Sequence, residues 1–191
     1  LHGIEQADPQ PGDVVAIIGA GLIGLLMVQL VLLRGACVVV VSEPSPQKRE
    51  LALSFGAALA VDPQEEDLGG AISRATGDSG ADVVIECVGS EATAQQAVSL
   101  AREGGRVLFF GVAPEQARVA VSPYEVYRKE IAIMGSFTNP FTQGRALALL
   151  ESGRVKVENL ITHRLPLTEV PRALELLATH QTIRTLIEPQ T

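Results

Sequence analysis

The chain has 191 residues, of which 47% are hydrophobic and 19% are charged, and its formal net charge is −7. That length suits one domain with a sizeable core, or one domain and part of a second. The acidic balance, with Lys and Arg scattered along the chain, argues against nucleic acid or an anionic membrane surface as the main partner.

The sequence carries no visible signal peptide, and its apolar stretches are interrupted well before the roughly 18 residues that a membrane-spanning helix needs. We therefore expect a soluble, cytoplasmic protein. Cys37 and Cys87 are far apart in the sequence, without a Cys-x-x-Cys pattern, so neither a zinc site nor a disulfide framework is indicated. Cys37 opens an apolar strand and is expected to be buried. Because the chain begins with Leu1 rather than Met, we expect it to derive from a longer protein.

Residues 1–12 read as a polar turn. Residues 13–18 are predicted to form the first strand, and the unbroken apolar run over residues 14–18 is typical of a buried parallel strand. The strand enters a glycine-rich loop and then a helix predicted to reach about residue 34. In this strand–loop–helix pattern, Gly19 permits a sharp turn, Gly21 permits close approach of a diphosphate, and Gly24 permits close packing of helix on strand. The first turn of the helix offers unpaired N–H groups, and these predict a diphosphate-binding site.

Glu43 lies at the end of the second predicted strand, residues 37–41, and 19 residues (43 − 24) beyond Gly24. A carboxylate at this position accepts hydrogen bonds from both hydroxyls of an adenosine ribose and repels the 2′-phosphate of NADP. The spacing therefore predicts NAD as the cofactor, the alternative being a solvated glutamate in a loop.

The remaining pattern alternates strands with helices. Further strands are predicted at residues 59–62, 81–89, 106–112 and 131–136, and helices at residues 47–55, 68–76, 91–100, 124–128, 141–152 and 168–179. Gly89 and Gly111 fall at strand ends, where ligands of such sheets bind. The sequence thus predicts an α/β fold with a doubly wound, six-stranded parallel sheet and helices on both faces, followed by a C-terminal segment that ends in a short strand.

The chain resembles the cofactor-binding domain of the medium-chain dehydrogenase/reductase family, which includes zinc-dependent alcohol, polyol and threonine dehydrogenases. The resemblance covers almost the whole chain and rests on these motifs: Gly12-Asp13, the loop 19–24, Ser42-Glu43-Pro44-Ser45, Glu86-Cys87-Val88-Gly89, Gly105-Arg106-Val107, Arg128-Lys129-Glu130 and Gly135-Ser136-Phe137.

The resemblance implies a set of cofactor contacts. These are Ala20, Leu22 and Ile23 in the pyrophosphate loop, with Ile23 also against the nicotinamide; Glu43 and Lys48 at the adenosine ribose; Cys87 and Val88 beside the adenosine; Phe110 and Val112 around Gly111, together with Ala132 and Met134, at the nicotinamide carboxamide; and Arg184 at the pyrophosphate. The alternative for Arg184 is an ordinary surface arginine.

In the family, the catalytic zinc ligands lie in an amino-terminal half that includes a Gly-His-Glu motif, and these 191 residues contain no such motif. His2, His163 and His180 lack metal-ligand spacing. The resemblance therefore implies that residues 1–155 are a dinucleotide-binding domain, that residues 156–191 return toward a separate catalytic domain, and that zinc and catalysis belong to that other domain. It also implies a homo-oligomer, a dimer or tetramer, paired through the edge of the sixth strand. The alternative is that this strand is covered only by its own helix.

Three other interpretations stay open at this point. A zinc-free quinone or enoyl reductase of the same family would usually favour NADP and carry a small or basic residue in place of Glu43. A non-enzymatic NAD-sensing module would couple cofactor binding to a partner. A purely structural α/β domain would bind nothing at its glycine loop. The sequence does not name the substrate.

Overall fold

The computed structural model describes residues 1–179 and 182–189, so His180 lies outside the described residues. The strands of the main sheet are β1 (Val14–Ile18), β2 (Val38–Ser42), β3 (Leu59–Val61), β4 (Ala81–Glu86), β5 (Ala101–Phe109) and β6 (Ala132–Gly135). The helices up to residue 151 are α1 (His2–Ala7), α2 (Leu22–Leu33), α3 (Pro46–Ser54), α4 (Leu68–Thr76), α5 (Glu91–Leu100), α6 (Pro123–Lys129) and α7 (Gln143–Glu151).

The six strands pair in the order β3-β2-β1-β4-β5-β6, and every pair is parallel. The prediction of a doubly wound parallel sheet is therefore confirmed. The two central strands β1 and β4 are adjacent in space although two strands separate them in sequence, and the strand order reverses between them. Their side chains are buried on both faces because helices cover the sheet, which is why these strands read as continuous apolar runs. A ligand site is expected above this reversal point.

Residues 1–12 are not only a turn, because His2–Ala7 forms helix α1. Ile4 and Ala7 are fully buried, and the helix packs on β5 and β6. A Cβ added to Gly3 would lie 2.7 Å from the Phe110 ring, so the helix and this ring are in close contact. The sequence prediction was wrong here because long-range packing, rather than local periodicity, stabilises so short a helix.

Two other expectations needed correction at strand ends. Cys37 is exposed, because β2 begins one residue later and the Cys37 N–H already bonds to the carbonyl of Asp13 at 2.9 Å. Strand β5 begins at Ala101 rather than at residue 106, since Ala101 pairs with Ala81 before the register shifts to the Val83–Arg106 pair. Residues 102–105 form the irregular segment between these pairs.

The chain divides into two compact units, Leu1–Ala146 and a unit that begins at Leu147. Within the second unit, β7 (Ile161–Pro166) and β8 (Arg184–Glu188) form a small parallel sheet, and α8 (Val170–Ala178) contacts both strands. Short 3-10 turns occupy Glu158–Leu160 and Leu167–Glu169. The functional division into 1–155 and 156–191 stays a prediction. Among the described residues, no helix has both the length and the apolar character required to span a membrane.

Candidate cofactor site

The loop between β1 and α2 is built around close backbone packing. Gly19 has a φ of +93° and donates its N–H to the carbonyl of Ser42 at 2.8 Å, which joins the loop to the end of β2. A Cβ added to Gly24 would lie 1.9 Å from the carbonyl oxygen of Gly19. Only glycine is tolerated at Gly24 without moving α2 away from the loop, as its predicted role requires.

Gly21 has open space where Gly24 has none. A Cβ added to Gly21 would meet no atom within 4 Å. The backbone of Gly21 is extended, with a φ of −66°. Gly21 is the N-cap of the 12-residue helix α2 and supplies no side chain to cap its N–H groups. Ala20 is fully buried, Leu22 is half-buried, and Ile23 is exposed in the first turn. The loop therefore presents backbone N–H groups and a helix dipole toward open space.

Glu43 connects this loop to the β2–α3 turn. One carboxylate oxygen, Oε2, accepts the N–H of Ala20 at 2.8 Å, and Oε1 accepts the N–H of Ser45 at 3.0 Å. The side chain is only 6% exposed. A carboxylate offers about four lone-pair positions, so two acceptor positions remain after these two bonds. The geometry thus fixes the carboxylate beside the glycine loop while leaving capacity for further donors.

Two basic residues of α3 lie near Glu43 in sequence and differ in their surroundings. Lys48 is half-buried in the first turn of α3. Arg49 is tied down: its Nη1 lies 2.8 Å from the Glu43 carbonyl, 2.7 Å from the Pro44 carbonyl and 2.8 Å from Oδ2 of Asp62. Sequence reasoning assigned Arg49 no role, because the contact with Asp62 depends on how β3 is placed.

Glu86 organises the turn after β4, and sequence reasoning assigned it no role either. It is 1% exposed, and its Oε1 accepts the N–H of Val88 at 2.7 Å, the N–H of Gly89 at 2.8 Å and the hydroxyl of Thr93 at 2.9 Å. These bonds end β4 at Glu86, so the strand is shorter than the predicted 81–89. They also hold Cys87, Val88 and Gly89, the predicted adenosine-side positions, in one fixed turn.

The β4 turn contacts both neighbouring loops. A Cβ added to Gly19 would lie 2.7 Å from Cγ2 of Val88, and a Cβ added to Gly89 would lie 2.6 Å from the carbonyl oxygen of Val112. Val88 is half exposed. Burial, followed by the charge of Glu86, raises the pKa of the Cys87 thiol, so this thiol stays protonated. The turn is thus packed against the loops that follow β1 and β5.

Phe110, Gly111 and Val112 follow directly after β5. The N–H groups of Phe110 and Gly111 both bond to the Glu86 carbonyl, at 2.9 and 2.8 Å. A Cβ added to Gly111 would lie 2.3 Å from the Gly89 nitrogen and 2.6 Å from Oε2 of Glu86. Val112 is 93% exposed. Glycine at position 111 therefore lets the loops after β4 and β5 touch, and Val112 projects away from the protein.

The two residues of β6 that were predicted to contact the nicotinamide, Ala132 and Met134, lie at different distances from the carboxyl edge of the sheet. Met134 pairs with Leu108, one residue before β6 ends beside Phe109, whereas Ala132 starts the strand beside Arg106. The structure thus brings Met134 close to the strand-end cluster and leaves Ala132 farther along the sheet. Ser136, just past the strand, has a buried Oγ that finds no hydrogen-bond partner among the described residues.

Arg184 belongs to the second compact unit, where it is exposed and begins β8. Its carbonyl accepts the hydroxyl of Thr162 at 3.3 Å, and the same hydroxyl contacts that of Thr182 at 2.7 Å. These bonds connect the start of β8 to β7. The role of Arg184 toward a pyrophosphate stays a prediction.

The residues at the carboxyl edge fit a dinucleotide. The open space at Gly21 and the uncapped start of α2 suit a diphosphate, and Glu43 retains acceptor positions for ribose hydroxyls. Ser136 Oγ adds a buried polar atom that lacks a partner near β5 and β6. Within residues 1–179 and 182–189, no group of three or more His, Cys, Asp or Glu side chains is arranged to hold a metal ion.

The chain is similar in sequence to known dehydrogenases. The sequence model of the zinc-binding dehydrogenase family matches residues 23–152. D-arabinitol dehydrogenase 1 of Uromyces fabae is 33% identical over 192 residues, covering 99% of this chain and 55% of that protein. The chain spans about half the length of the curated relatives it matches.

Solved structures agree in fold. A protein described as a zinc-binding dehydrogenase from Sinorhizobium meliloti 1021, bound to NADP, is 37% identical with a TM-score of 0.93, covering 98% of this chain and 56% of that one. The alcohol dehydrogenase of Thermus sp. ATN1 is 31% identical with a TM-score of 0.92, covering 98% of this chain and 56% of that one. Since the family model matches more than half of the residues of this chain, the chain belongs to the zinc-binding dehydrogenase family.

Proposed function

We propose that this chain is the NAD-binding part of a longer dehydrogenase that oxidises an alcohol, polyol or amino alcohol. The observation that carries the proposal is the 2.8 Å bond from the Ala20 N–H to Oε2 of Glu43. It unites the glycine loop and the acidic strand end, the two elements that a dinucleotide needs, at the point where the strand order reverses. The named polyol and alcohol dehydrogenases among the relatives support the substrate class.

Each part of the edge has a distinct binding task. The N–H groups at the start of α2 hold the diphosphate, Glu43 and Lys48 hold the adenosine ribose, and the Cys87–Gly89 turn borders the adenosine. Phe110, Gly111 and Val112, together with Met134, border the nicotinamide, whereas Ala132 lies at the start of β6, away from this edge. The predicted role of Arg184 at the diphosphate rests on the sequence resemblance alone. A bound nicotinamide supplies the hydride acceptor for alcohol oxidation and the donor for the reverse reaction. The residues of this chain bind and orient, and we assign none of them a catalytic role.

The choice of NAD over NADP rests on Glu43. Its carboxylate is held against the glycine loop by two backbone donors and cannot turn away without breaking them. A 2′-phosphate brought to the same place would meet a fixed, poorly solvated negative charge. The Sinorhizobium meliloti relative was solved with NADP, so a measured preference of this chain for NAD is a direct test of the role of Glu43.

The zinc and the substrate pocket are proposed to lie in the part of the full-length enzyme outside this chain. The full-length enzyme is proposed to be a cytoplasmic homo-oligomer, a dimer or tetramer. Strand β6 forms one edge of the sheet, and its unpaired side suits antiparallel pairing with the same strand of a second copy.

Calorimetric titration of the chain with NADH and NADPH tests the proposal. NADH is expected to bind more tightly than NADPH. Glu43→Ser, which removes the carboxylate, is expected to weaken NADH binding by about tenfold and so to reduce the ratio of the NADH affinity to the NADPH affinity. Tighter binding of NADPH to the unaltered chain would contradict the role of Glu43. Failure to bind either cofactor would leave a structural domain as the better interpretation.

A further inference from the structure

Arg49 is the most densely bonded cation at the carboxyl edge. Its Nη1 lies 2.7 to 2.8 Å from three acceptors, which are the Glu43 carbonyl, the Pro44 carbonyl and Oδ2 of Asp62. The side chains of Arg49 and Asp62 are only 19% and 17% exposed. Ion pairs of this kind are better held than surface pairs, because less water competes for them.

The three acceptors belong to the turn that carries Glu43 and to the strand end beside it. Backbone donors from both sides already fix Glu43: its own N–H bonds to the Val61 carbonyl at 3.0 Å, and its side chain accepts from Ala20 and Ser45. The peptide plane between Glu43 and Pro44 has no other restraint among these bonds, and the plane between Pro44 and Ser45 is held only through the Ser45 N–H. Pro44 has no N–H of its own to restrain it. Arg49 holds both of these planes through their carbonyl oxygens.

Resting on the proposed function, we propose that Arg49 is a positioning residue that holds the Glu43 carboxylate in place for the adenosine ribose. It acts through the backbone of the β2–α3 turn. The charge of Arg49 is matched by Asp62, and Nη1 is bonded to protein acceptors, so the guanidinium is arranged to restrain the turn and not to receive a 2′-phosphate. Asp62 is itself held, because its Oδ1 accepts the N–H of Gln64 at 3.0 Å.

The test compares Arg49→Met with Arg34→Met in the 191-residue chain. Both variants remove an arginine paired with an aspartate, but the Arg34–Asp8 pair is exposed and lies where α2 ends, away from the β2–α3 turn. Amide hydrogen exchange reports directly on Glu43, because its carboxylate accepts the N–H groups of Ala20 and Ser45. Titrations with NADH and NADPH and the melting temperature complete the measurements.

Arg49→Met is expected to accelerate exchange at Ala20 and Ser45 and to weaken NADH binding, each by about tenfold, with a smaller change for NADPH. Arg49→Lys, which keeps the charge but loses the planar fork, should recover part of both effects. Arg34→Met should change neither. If Arg49→Met does not fold, Asp62→Asn, which retains the contacts with the two carbonyls, should show the same pattern at smaller size.

Two outcomes would overturn the inference. A lower melting temperature with unchanged exchange at Ala20 and Ser45 and unchanged NADH affinity would make Arg49 a scaffold residue only. A loss of NADPH affinity larger than that of NADH would make it a phosphate ligand. Failure of the unaltered chain to bind either cofactor would instead sink the proposed function, while the exchange data would still decide whether Arg49 holds Glu43.

Discussion

Each half of the sheet has a buried glutamate at its carboxyl edge, Glu43 on one side and Glu86 on the other. The two glutamates differ in which hydrogen-bond donors they accept. On the β1–β2 side, Glu43 divides its oxygens between the N–H groups of Ala20 and Ser45, which belong to two different loops. On the β4–β5 side, Glu86 gathers three donors on one oxygen, all from the turn and helix that follow it. Glu43 therefore links two loops, whereas Glu86 stabilises a single turn and the start of the helix that follows it.

Under the proposed function, this difference separates a glutamate that binds the cofactor from one that only holds a turn. A carboxylate at a strand end stabilises the N–H groups of the turn that follows, whatever else it does. Glu86 performs that structural task at 1% exposure. Glu43, at 6% exposure, performs it for two different loops, with one donor on each carboxylate oxygen. Substitutions on the two sides should therefore differ in whether stability or cofactor affinity changes more.

The largest effect on stability is expected from Glu86→Ala. It leaves two backbone N–H groups and the Thr93 hydroxyl without their acceptor, so the free energy of unfolding should fall by about 3–5 kcal/mol. Urea denaturation followed by circular dichroism measures the change. Glu66→Ala, which removes an exposed ion pair with Arg74, is the control and should cost no more than about 1 kcal/mol. Equal losses in the two variants would mean that Glu86 does not hold the β4 turn.

A second contrast lies within the glycine loop. Gly24→Ala places a Cβ against the Gly19 carbonyl, where no side-chain rotation can relieve the clash, and should lower the free energy of unfolding by about 3 kcal/mol. Gly21→Ala meets open space, so its effect on stability should stay within about 1 kcal/mol while NADH binding weakens. Denaturation and calorimetry on both variants give the comparison. A Gly21→Ala chain that binds NADH normally would contradict a diphosphate at that position.

The sequence predicted most of the sheet, because β1, β2 and β4 are long apolar runs and the glycine loop has a fixed spacing. Glu43 was identified for the same reason, since its distance from Gly24 is a local property of the sequence. The structural task of Glu86 was not found, because Glu86 lay inside the predicted strand 81–89, where no turn was expected. Its donors become visible only once the turn through Val88 and Gly89 is built.

What the sequence did not predict depends on contacts between distant residues. Helix α1 exists because Ile4 and Ala7 pack against β5 and β6. Arg49 matters because β3 brings Asp62 to it. The early start of β5 follows from the Ala81–Ala101 pair, which no local pattern reveals. These features belong to tertiary packing, which overrides local propensity.

A further expected effect is confined to alkaline pH and again distinguishes the β4–β5 side from the β1–β2 side. Burial, followed by the charge of Glu86, raises the pKa of Cys87 above its ordinary value. The folded chain therefore favours the neutral thiol, and this contribution to stability is complete below the unfolded pKa of about 8.5 and is lost as the pH rises above it. Between about pH 9 and pH 11, unfolding free energy should fall more steeply in the unaltered chain than in Cys87→Ala, by up to about 1.4 kcal/mol per pH unit.

Urea denaturation at several pH values measures these slopes, with Cys37→Ala as the control because Cys37 is exposed. The control should keep the slope of the unaltered chain. Glu86→Gln removes the nearby charge. In a Glu86→Gln chain, the slopes of unfolding free energy against pH with and without Cys87→Ala should differ less than they do with Glu86 present. Some difference should remain, since burial is the larger cause of the raised pKa. If Glu86→Gln abolished the difference entirely, the charge rather than burial would govern the thiol. The carboxylate on the β4–β5 side would then act electrostatically on its surroundings, as Glu43 is proposed to do toward a cofactor phosphate.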